Sequence, residues 1–211
     1  AELFDSGIDE EIRLVVTAGP AELIDAGGAA THVLVVPGSG GRAEIRTVTT
    51  VVPAPGLAIP AWSQVTLGEM VVARDIDVYQ AARARSLVRL GKAARALGAA
   101  ERTHHLAVEH AKSRMQFGKP IGSFGAVQQR IAQCQIEIRA ANLLVDDAVR
   151  AVHADDEAGL LAAEMAVTYV AEIAPRVQLA AHHTLAAIGY FEEHPGPWLF
   201  RRVQADIAML H

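Results

Sequence analysis

Histidines and acidic residues are the first candidates for chemistry, because the chain carries nine histidines and 24 aspartates and glutamates. Glu101-x-x-His104 has the spacing used in di-iron helical bundles, but such a site needs a second Glu-x-x-His, which the sequence lacks. The adjacent pairs His104-His105 and His182-His183 chelate poorly, since helical neighbours point about 100° apart. We therefore expect no metal site and interpret these histidines as lying on helix surfaces.

A basic stretch, a glycine-rich run and the single cysteine offer three other chemistries. The basic stretch fits either a solvated helix face or contacts with the phosphates of CoA or a dinucleotide. It comprises Arg83, Arg85, Arg89, Lys92, Arg95 and Arg102. Residues 38–41, Gly-Ser-Gly-Gly, precede a strand-like run and lack a following Lys-Ser/Thr, which favours a hairpin turn over a phosphate loop. Cys134 lies in a helical pattern without an activating neighbour, so we expect a buried thiol.

Length and composition indicate a globular protein. The 211 residues are 51% hydrophobic and 20% charged, which is sufficient for a buried core. The net charge of −5 argues against a nucleic-acid partner. One cysteine excludes an internal disulfide and suits a reducing cytoplasm. We see no apolar run long enough for a membrane span and no signal peptide, so we expect a cytoplasmic location.

The elements that must position these residues fall into two parts. Residues 1–75 read as an antiparallel β segment, with short β-branched runs separated by glycine and proline. The predicted strands cover residues 12–16, 31–36, 44–52 and 63–73, the last with a bulge at Gly68. Residues 76–211 show helical periodicity and predict a four-helix bundle. The predicted helices cover residues 78–113, 126–153, 155–187 and 197–210. The fold class is therefore α+β, mainly α, with domains at 1–75 and 76–211.

The run Arg114-Met115-Gln116-Phe117-Gly118-Lys119-Pro120-Ile121-Gly122 lies between the first two helices. Locally it predicts a helix terminus and a reversal of the chain, because Phe-Gly stops the helix and Pro120 delays a restart. The run resembles R-x-x-F-G-x-P-I-G, the central signature of the acyl-CoA dehydrogenases. The segment from His183 to Tyr190 resembles the family's Q-x-x-G-G-x-G-Y/F. It is followed by residues similar to the family's E-x-P and L-x-R-D.

This resemblance covers residues 76–211 well, and residues 10–75 more weakly resemble the second half of the family's middle β-domain. It implies a C-terminal four-helix bundle that follows a helical domain and a β-domain. Members bind FAD and dehydrogenate an acyl-CoA, with a glutamate removing the α-proton and flavin N5 accepting the hydride. These 211 residues contain no counterpart of the family's first domain, so we expect a fragment, a partly ordered chain or an unusually short subunit.

In the family, the bundle of one subunit contacts the adenosine and pyrophosphate of the other subunit's flavin. Arg114 matches the arginine that pairs with the pyrophosphate, and Phe117 matches an aromatic residue near the adenine. The resemblance thus implies a set of cofactor-contacting positions. They are Arg114, Gln116, Phe117, Gly125, Ala186 and Ala187. Without the resemblance, Arg114 reads as a cation that complements a helix C-terminus.

Several positions depart from the family pattern. Gly125 replaces a glutamine, and Ala186-Ala187 replaces a Gly-Gly pair whose backbone approaches the cofactor closely. Leu210 falls where the family's common catalytic glutamate stands, and a leucine accepts no proton. An alternative base position on the first bundle helix falls near Val88, and no carboxylate lies between Asp77 and Glu101.

These departures lead us to expect a non-catalytic partner subunit in an FAD-dependent acyl-CoA dehydrogenase, with the FAD shared with or supplied by a second dehydrogenase-like subunit. The assembly is expected to be a dimer or an α2β2 tetramer similar to those of actinobacterial steroid degradation. It would act on an acyl-CoA, with sterol-CoA as one option, and pass electrons to a transfer partner. Two alternatives stay open: a competent dehydrogenase using Glu192, Glu193 or His211 as base, and a non-enzymatic scaffold, including a nucleic-acid-binding relative. Whether the chain is itself an enzyme is left open.

Overall fold

The computed structural model describes residues 12–18, 24–25, 27–54, 62–154 and 157–210. The chain divides into two compact units, residues 1–88 and residues 89–211. The first unit carries a β-sheet, and the second carries most of a helical bundle. Four helices, a small sheet and the α+β, mainly α composition confirm the predicted fold class.

The sheet of the first unit has four strands in the order β1-β2-β3-β4. The strands are β1 (Leu14–Ala18), β2 (His32–Val36), β3 (Gly41–Pro53) and β4 (Ser63–Ile76). Pairing is antiparallel from β2 to β4, but β1 runs parallel to β2, which differs from the predicted antiparallel segment. About a dozen residues separate β1 from β2, which is long enough for the crossover connection that two parallel strands require.

Two local predictions in this sheet are confirmed. Residues 37–40 connect β2 to β3 as a hairpin turn. The β3–β4 register shifts beside Gly68, whose carbonyl oxygen accepts hydrogen bonds from Arg46 Nε at 3.1 Å and Nη2 at 2.8 Å. A Cβ at position 68 would lie 2.4 Å from Thr47 Oγ1, so this irregularity requires glycine.

The helices are α1 (Val78–Ser113), α2 (Gly125–His153), α3 (Glu157–Leu185) and α4 (Pro195–Ala208). A short hairpin, β5 (Met115–Gln116) with β6 (Lys119–Pro120), connects α1 to α2 and provides the predicted reversal. α4 begins two residues earlier than predicted, because His194 Nδ1 accepts a hydrogen bond from the Gly196 N–H at 3.0 Å and Pro195 suits the first helical position.

The core of the second unit combines many alanines with a few large aliphatic residues. The large buried side chains include Leu97, Ile138, Ile173 and Val203. Alanines on α1, α2 and α3 allow the helix backbones to approach closely, so the bundle is held by tight packing of small residues.

A buried ionic network connects α4 to α1. The carboxylate of Asp206 has no exposed surface and accepts hydrogen bonds from two arginines. Arg95 and Arg202 each donate Nε to Oδ2 at 3.0 Å and Nη2 to Oδ1 at 2.5 Å. Because the three side chains are paired, this network fixes the position of α4 along α1.

The segment Ala158–Tyr190 is, within the described part of the chain, long and apolar enough to cross a bilayer, with a mean hydropathy of 1.2 in its most apolar window. A helix packed in a protein core meets the same criteria of length and composition. α3 contributes Val170, Ile173 and Val177 to the core of this bundle. The finding is weak evidence for a span, and the expectation of none stays a prediction.

Candidate functional site

One end of the bundle holds the signature run, and we call residues 114–125 and 186–190 the turn end. The Arg114 N–H donates to the His110 carbonyl, and the Ile121 N–H donates to the Arg114 carbonyl, both at 2.8 Å. Phe117 and Gly118, with φ of 51° and 76°, form the two-residue loop between β5 and β6. A left-handed backbone at phenylalanine is unfavourable, so this loop stores strain.

The predicted cofactor residues of the signature run are exposed. Phe117 is 91% exposed, and its ring lies edge to face with that of Phe124, with the ring centroids 6.1 Å apart. Gln116 is also exposed. The guanidinium of Arg114 is exposed and forms no hydrogen bond or ion pair with the residues that the structure describes. Burial, followed by the positive charges of Arg114 and His194, lowers the pKa of His110, which places these three residues near one another.

The Ala186-Ala187 pair lies at the same end of the bundle. The last turns of α1 and α3 pack together through Ala107, Ala181 and Leu185, so both helices end side by side. Ala186 has a φ of 53°, a conformation that glycine adopts freely and alanine does not. The backbone therefore keeps the shape suited to the family's glycine, and both alanines are exposed.

Gly125, the first residue of α2, also lies in the turn end, and a Cβ there would meet no atom within 4 Å. Space for a longer side chain is thus present where the family has glutamine. The structure brings all six predicted cofactor positions to one end of the bundle, exposed to solvent. Their role in binding stays a prediction.

A second region contains the position matched to the catalytic glutamate, and we call Arg89, Glu164 and Leu210 the base-position cluster. Leu210 is 1% exposed and packs in the bundle core. Its carbonyl oxygen accepts a hydrogen bond from Arg89 Nε at 2.9 Å. Arg89 Nη1 forms an ion pair with Glu164 Oε1. The cluster is therefore closed by core packing and by internal pairing of its charges.

Glu164 is the acidic residue that sequence reasoning missed. It lies on α3, far from Leu210 in the chain, and reaches the cluster only because α1, α3 and α4 pack together. In the sequence, Glu164 stands out only as a charged residue within an apolar stretch of α3. No motif spacing could have identified it.

The candidate bases considered from sequence lie elsewhere. Glu192 makes a bidentate ion pair with Arg201, at 2.8 and 2.9 Å, next to the turn end. The hydrogen bonds from Arg201 hold the pKa of Glu192 below its usual value. Glu193 is exposed, and His211 lies outside the described residues. Glu192 and Glu193 precede α4, whereas Leu210 follows it, so the structure does not bring them to the matched position.

One expectation about charged side chains needs correction, and another stays open. Within the basic stretch, Arg89 and Arg95 form ion pairs with Glu164 and Asp206, while Arg95 and Arg102 are exposed, so a solvated face and phosphate contacts both stay open as interpretations of the stretch. His104 and His182 are buried rather than on helix surfaces, because one member of each adjacent pair falls on the core side of its helix.

The remaining candidates resolve simply. Cys134 is buried as predicted, and burial, followed by the negative charge of Glu137, raises the pKa of its thiol. Among the described residues, no group of three or more histidine, cysteine or acidic side chains is placed to hold a metal ion.

Residues 78–208 match the family description "Acyl-CoA dehydrogenase, C-terminal domain". The chain is 36% identical over 118 residues to acyl-CoA dehydrogenase IpdE2 of Mycobacterium tuberculosis, which covers 56% of this chain and 35% of that protein. It covers between 26% and 39% of the length of the leading curated relatives.

Two solved structures share the fold. A variant of the Tcur3481-Tcur3483 steroid ACAD has a TM-score of 0.77 at 23% identity, covering 94% of this chain and 66% of that one. The ChsE4-ChsE5 complex from Mycobacterium tuberculosis has a TM-score of 0.75 at 22% identity, covering 97% and 60%. At this identity the likeness describes the fold.

Proposed function

The chain belongs to the acyl-CoA dehydrogenase family, and from this premise we propose that it is the non-catalytic partner subunit of a hetero-oligomeric, FAD-dependent acyl-CoA dehydrogenase. Residues 76–211 are its C-terminal bundle, and residues 1–75 are part of a middle β-domain. The companion is a second dehydrogenase-like chain, in a dimer or an α2β2 tetramer. A cytoplasmic location, an acyl-CoA substrate such as sterol-CoA and an electron-transfer acceptor belong to the same proposal.

One observation carries the proposal: the base position is core, whereas the cofactor positions are open. Leu210 is buried, and the charges beside it are paired within the chain. Arg114 and Phe117 are exposed at the other region and have few contacts of their own. A subunit that has lost its base but keeps an exposed cation and aromatic ring fits a role in contacting a cofactor held largely by another chain.

The pairing with a second chain has its own support. Both structural neighbours are named as two chains together, ChsE4 with ChsE5 and Tcur3481 with Tcur3483. This chain spans about a third of the length of its curated relatives. The likeness to structures of paired chains therefore supports a second dehydrogenase-like chain as the companion.

The residues of the turn end fit an FAD in part. The Arg114 guanidinium is free to pair with a pyrophosphate, and the Phe117 ring offers a face for a purine. Ala186 keeps the backbone shape of the family's glycine, although two methyl groups line this surface. When bound, FAD supplies the hydride acceptor of the dehydrogenation. This chain's contribution is to hold the diphosphate and adenine end.

Glu164 favours a second candidate function, a dehydrogenase that has moved its base. Its carboxylate reaches the cluster that contains Leu210 and is about half exposed. Glu164→Gln separates the two functions, because it abolishes turnover of the assembled enzyme only if Glu164 is the base.

The lone chain and its complex test the proposal directly. The purified chain is expected to show no acyl-CoA dehydrogenase turnover and little bound flavin. Co-expression with a full-length dehydrogenase-like chain from the same organism is expected to give a stable yellow complex. Stoichiometric flavin together with turnover in the lone chain would contradict the partner role.

Arg114→Ala in the complex tests the cofactor contact. We expect flavin to dissociate about tenfold more readily, since a charge-assisted contact contributes roughly 1.5 kcal/mol. Arg102→Ala is the matched control, because Arg102 is another exposed arginine of α1 outside the turn end. Equal flavin retention in both variants would remove Arg114 from the site.

A further inference from the structure

We propose that a cavity between the end of α3 and the beginning of α4 binds a small apolar molecule that carries one uncharged carbonyl group. The cavity has a volume of about 340 Å³, and its walls include Leu179, Tyr190 and Phe200. This volume is in the range of small-molecule sites in proteins. The inference goes beyond the proposed function, since neither the family match nor the cofactor positions call for such a ligand.

His182 supplies the first polar group of this cavity. Its side chain is 3% exposed, and its ring is held by Phe200, edge to face at 5.4 Å, and by Tyr190 at 5.3 Å. Gln178 Nε2 lies 3.2 Å from His182 Nε2. In the observed orientation of the Gln178 amide, its nitrogen donates to Nε2, and the neutral ring then carries its proton on Nδ1.

Nδ1 of His182 is buried and makes no hydrogen bond of good geometry with the described residues; a weaker interaction with the Gly196 backbone acts to raise the pKa of the ring, against the larger effect of burial. Gly189, which lines the same cavity, leaves the space beside it, because a Cβ at this position would lie 3.0 Å from Nδ1. Burial lowers the pKa of His182, which is consistent with a neutral ring. An unpartnered buried N–H costs free energy, so an acceptor from a ligand would stabilise the cavity.

Arg201 supplies a second unpartnered donor. Its two terminal nitrogens are held by Glu192, but its Nε is buried and has no hydrogen-bond partner. Both His182 and Arg201 line the cavity. Because both orphan groups donate, the cavity lacks an acceptor, and one carbonyl oxygen has two lone pairs to offer.

The charges around the cavity favour an uncharged acceptor over a carboxylate. Arg201 is already neutralised by Glu192, and His182 is uncharged. A carboxylate would bring a charge without a free counter-ion into a largely apolar cavity, which is unfavourable. An ammonium group would meet two donors. A ketone or amide on an apolar ring satisfies both N–H groups without adding charge.

Titration of the full chain with acetophenone, ethylbenzene and benzoate tests the chemistry of the cavity. With histidine labelled in ¹⁵N, acetophenone is expected to bind saturably and to shift the Nδ1 resonance of His182. Ethylbenzene, which lacks the carbonyl, is expected to bind about a hundredfold more weakly, the value of two buried hydrogen bonds at roughly tenfold each. Equal binding of ethylbenzene, tighter binding of benzoate, or no saturable binding of acetophenone overturns the proposal.

Two variants locate the binding. His182→Phe keeps an aromatic ring but removes the N–H, and Arg201→Lys keeps the charge but removes Nε; each is expected to weaken acetophenone about tenfold. Arg176→Lys, on the exposed side of α3 and paired with Glu137 and Glu172, is the control and is expected to bind normally. If circular dichroism shows that His182→Phe does not fold, Arg201→Lys decides, and unchanged affinity there contradicts the site.

Discussion

The turn end and the base-position cluster belong to one helical bundle but differ in the exposure and pairing of their polar and apolar groups. At the turn end, Arg114 makes no ion pair with the described residues, Phe117 is 91% exposed, and two non-glycine residues have positive φ. In the cluster, Leu210 is buried and Arg89 is paired with both Glu164 and a carbonyl oxygen. The turn end keeps costly features that its own fold does not use, whereas the base-position cluster combines a buried leucine with partly exposed charges that are paired within the chain.

This difference divides the family-matched positions into two kinds, those that do not stabilise the isolated chain and those that do. Strain at Phe117 and Ala186 and an exposed guanidinium give the isolated chain no stability, so an outside contact is the physical reason we infer for their presence. Leu210 and Arg89 do stabilise the chain, so their presence needs no ligand. The comparison therefore predicts that substitutions in the closed region change stability, whereas substitutions at the turn end change binding.

Asp206→Asn is expected to give the largest effect, because the network behind the closed region positions α4. The substitution removes the carboxylate that the buried Arg202 and its neighbour Arg95 share, and it should lower the free energy of unfolding by roughly 3–5 kcal/mol. Chemical denaturation followed by helical circular dichroism measures the change. An effect below about 1 kcal/mol would show that the network does not fix α4.

Leu210→Ala and Phe117→Ala form the direct test of the comparison. The first leaves a cavity in the core and should cost about 3 kcal/mol of unfolding free energy. The second removes one exposed ring and its contact with Phe124, and should cost less than about 1 kcal/mol. Similar losses of unfolding free energy in the two variants would contradict the comparison, because Leu210 would then contribute no more to stability than the exposed Phe117.

The sequence predicted the helices better than the contacts between them. The first helix was expected from Val78 to Ser113, as observed, because its periodicity is uninterrupted by proline. The Arg89–Glu164 pair and the Asp206 network were not predictable, since each joins residues far apart in the chain whose meeting depends on how the helices are rotated. The parallel β1–β2 pair escaped prediction for the same reason.

The candidate site was predictable in its exposed part and not in its closed part. A local motif placed Arg114, Gln116 and Phe117 together because a loop keeps sequence neighbours close in space. The charge partner of Arg89 could only be found once α3 was packed beside α1, so Glu164 went unnoticed. The burial of His104 and His182 likewise depends on helix rotation, which the pattern of a single helix did not reveal.

Lowering the pH should also reduce the free energy of unfolding, through the buried histidines of the bundle, but by less than the core substitutions do. Burial lowers the pKa values of His104 and His182 from the model-compound value of 6.5. The unfolded chain therefore takes up protons first as the pH falls. The stability due to the neutral rings is complete above about pH 6.5 and is lost as the pH falls towards the lowered values. Denaturation midpoints measured from pH 8 to pH 5 should decrease below pH 6.5, and His104→Phe should flatten this decrease.

The smallest effect concerns the turn end itself and has opposite signs at two adjacent residues. Ala186 has a φ of 53°, whereas Ala187 is not among the residues with positive φ. Ala186→Gly removes a strain of roughly 1–2 kcal/mol and adds freedom to the unfolded chain, for a net gain of about 0.5 kcal/mol. Ala187→Gly adds only the freedom and should lose about 0.5–1 kcal/mol. Denaturation of the two variants side by side measures both, and the same sign in both would mean that Ala186 is unstrained. A gain in the free energy of unfolding at Ala186 alone would show that the chain keeps a backbone conformation suited to glycine at the expense of its own stability. Such a conformation is expected where a cofactor or a partner approaches the backbone closely.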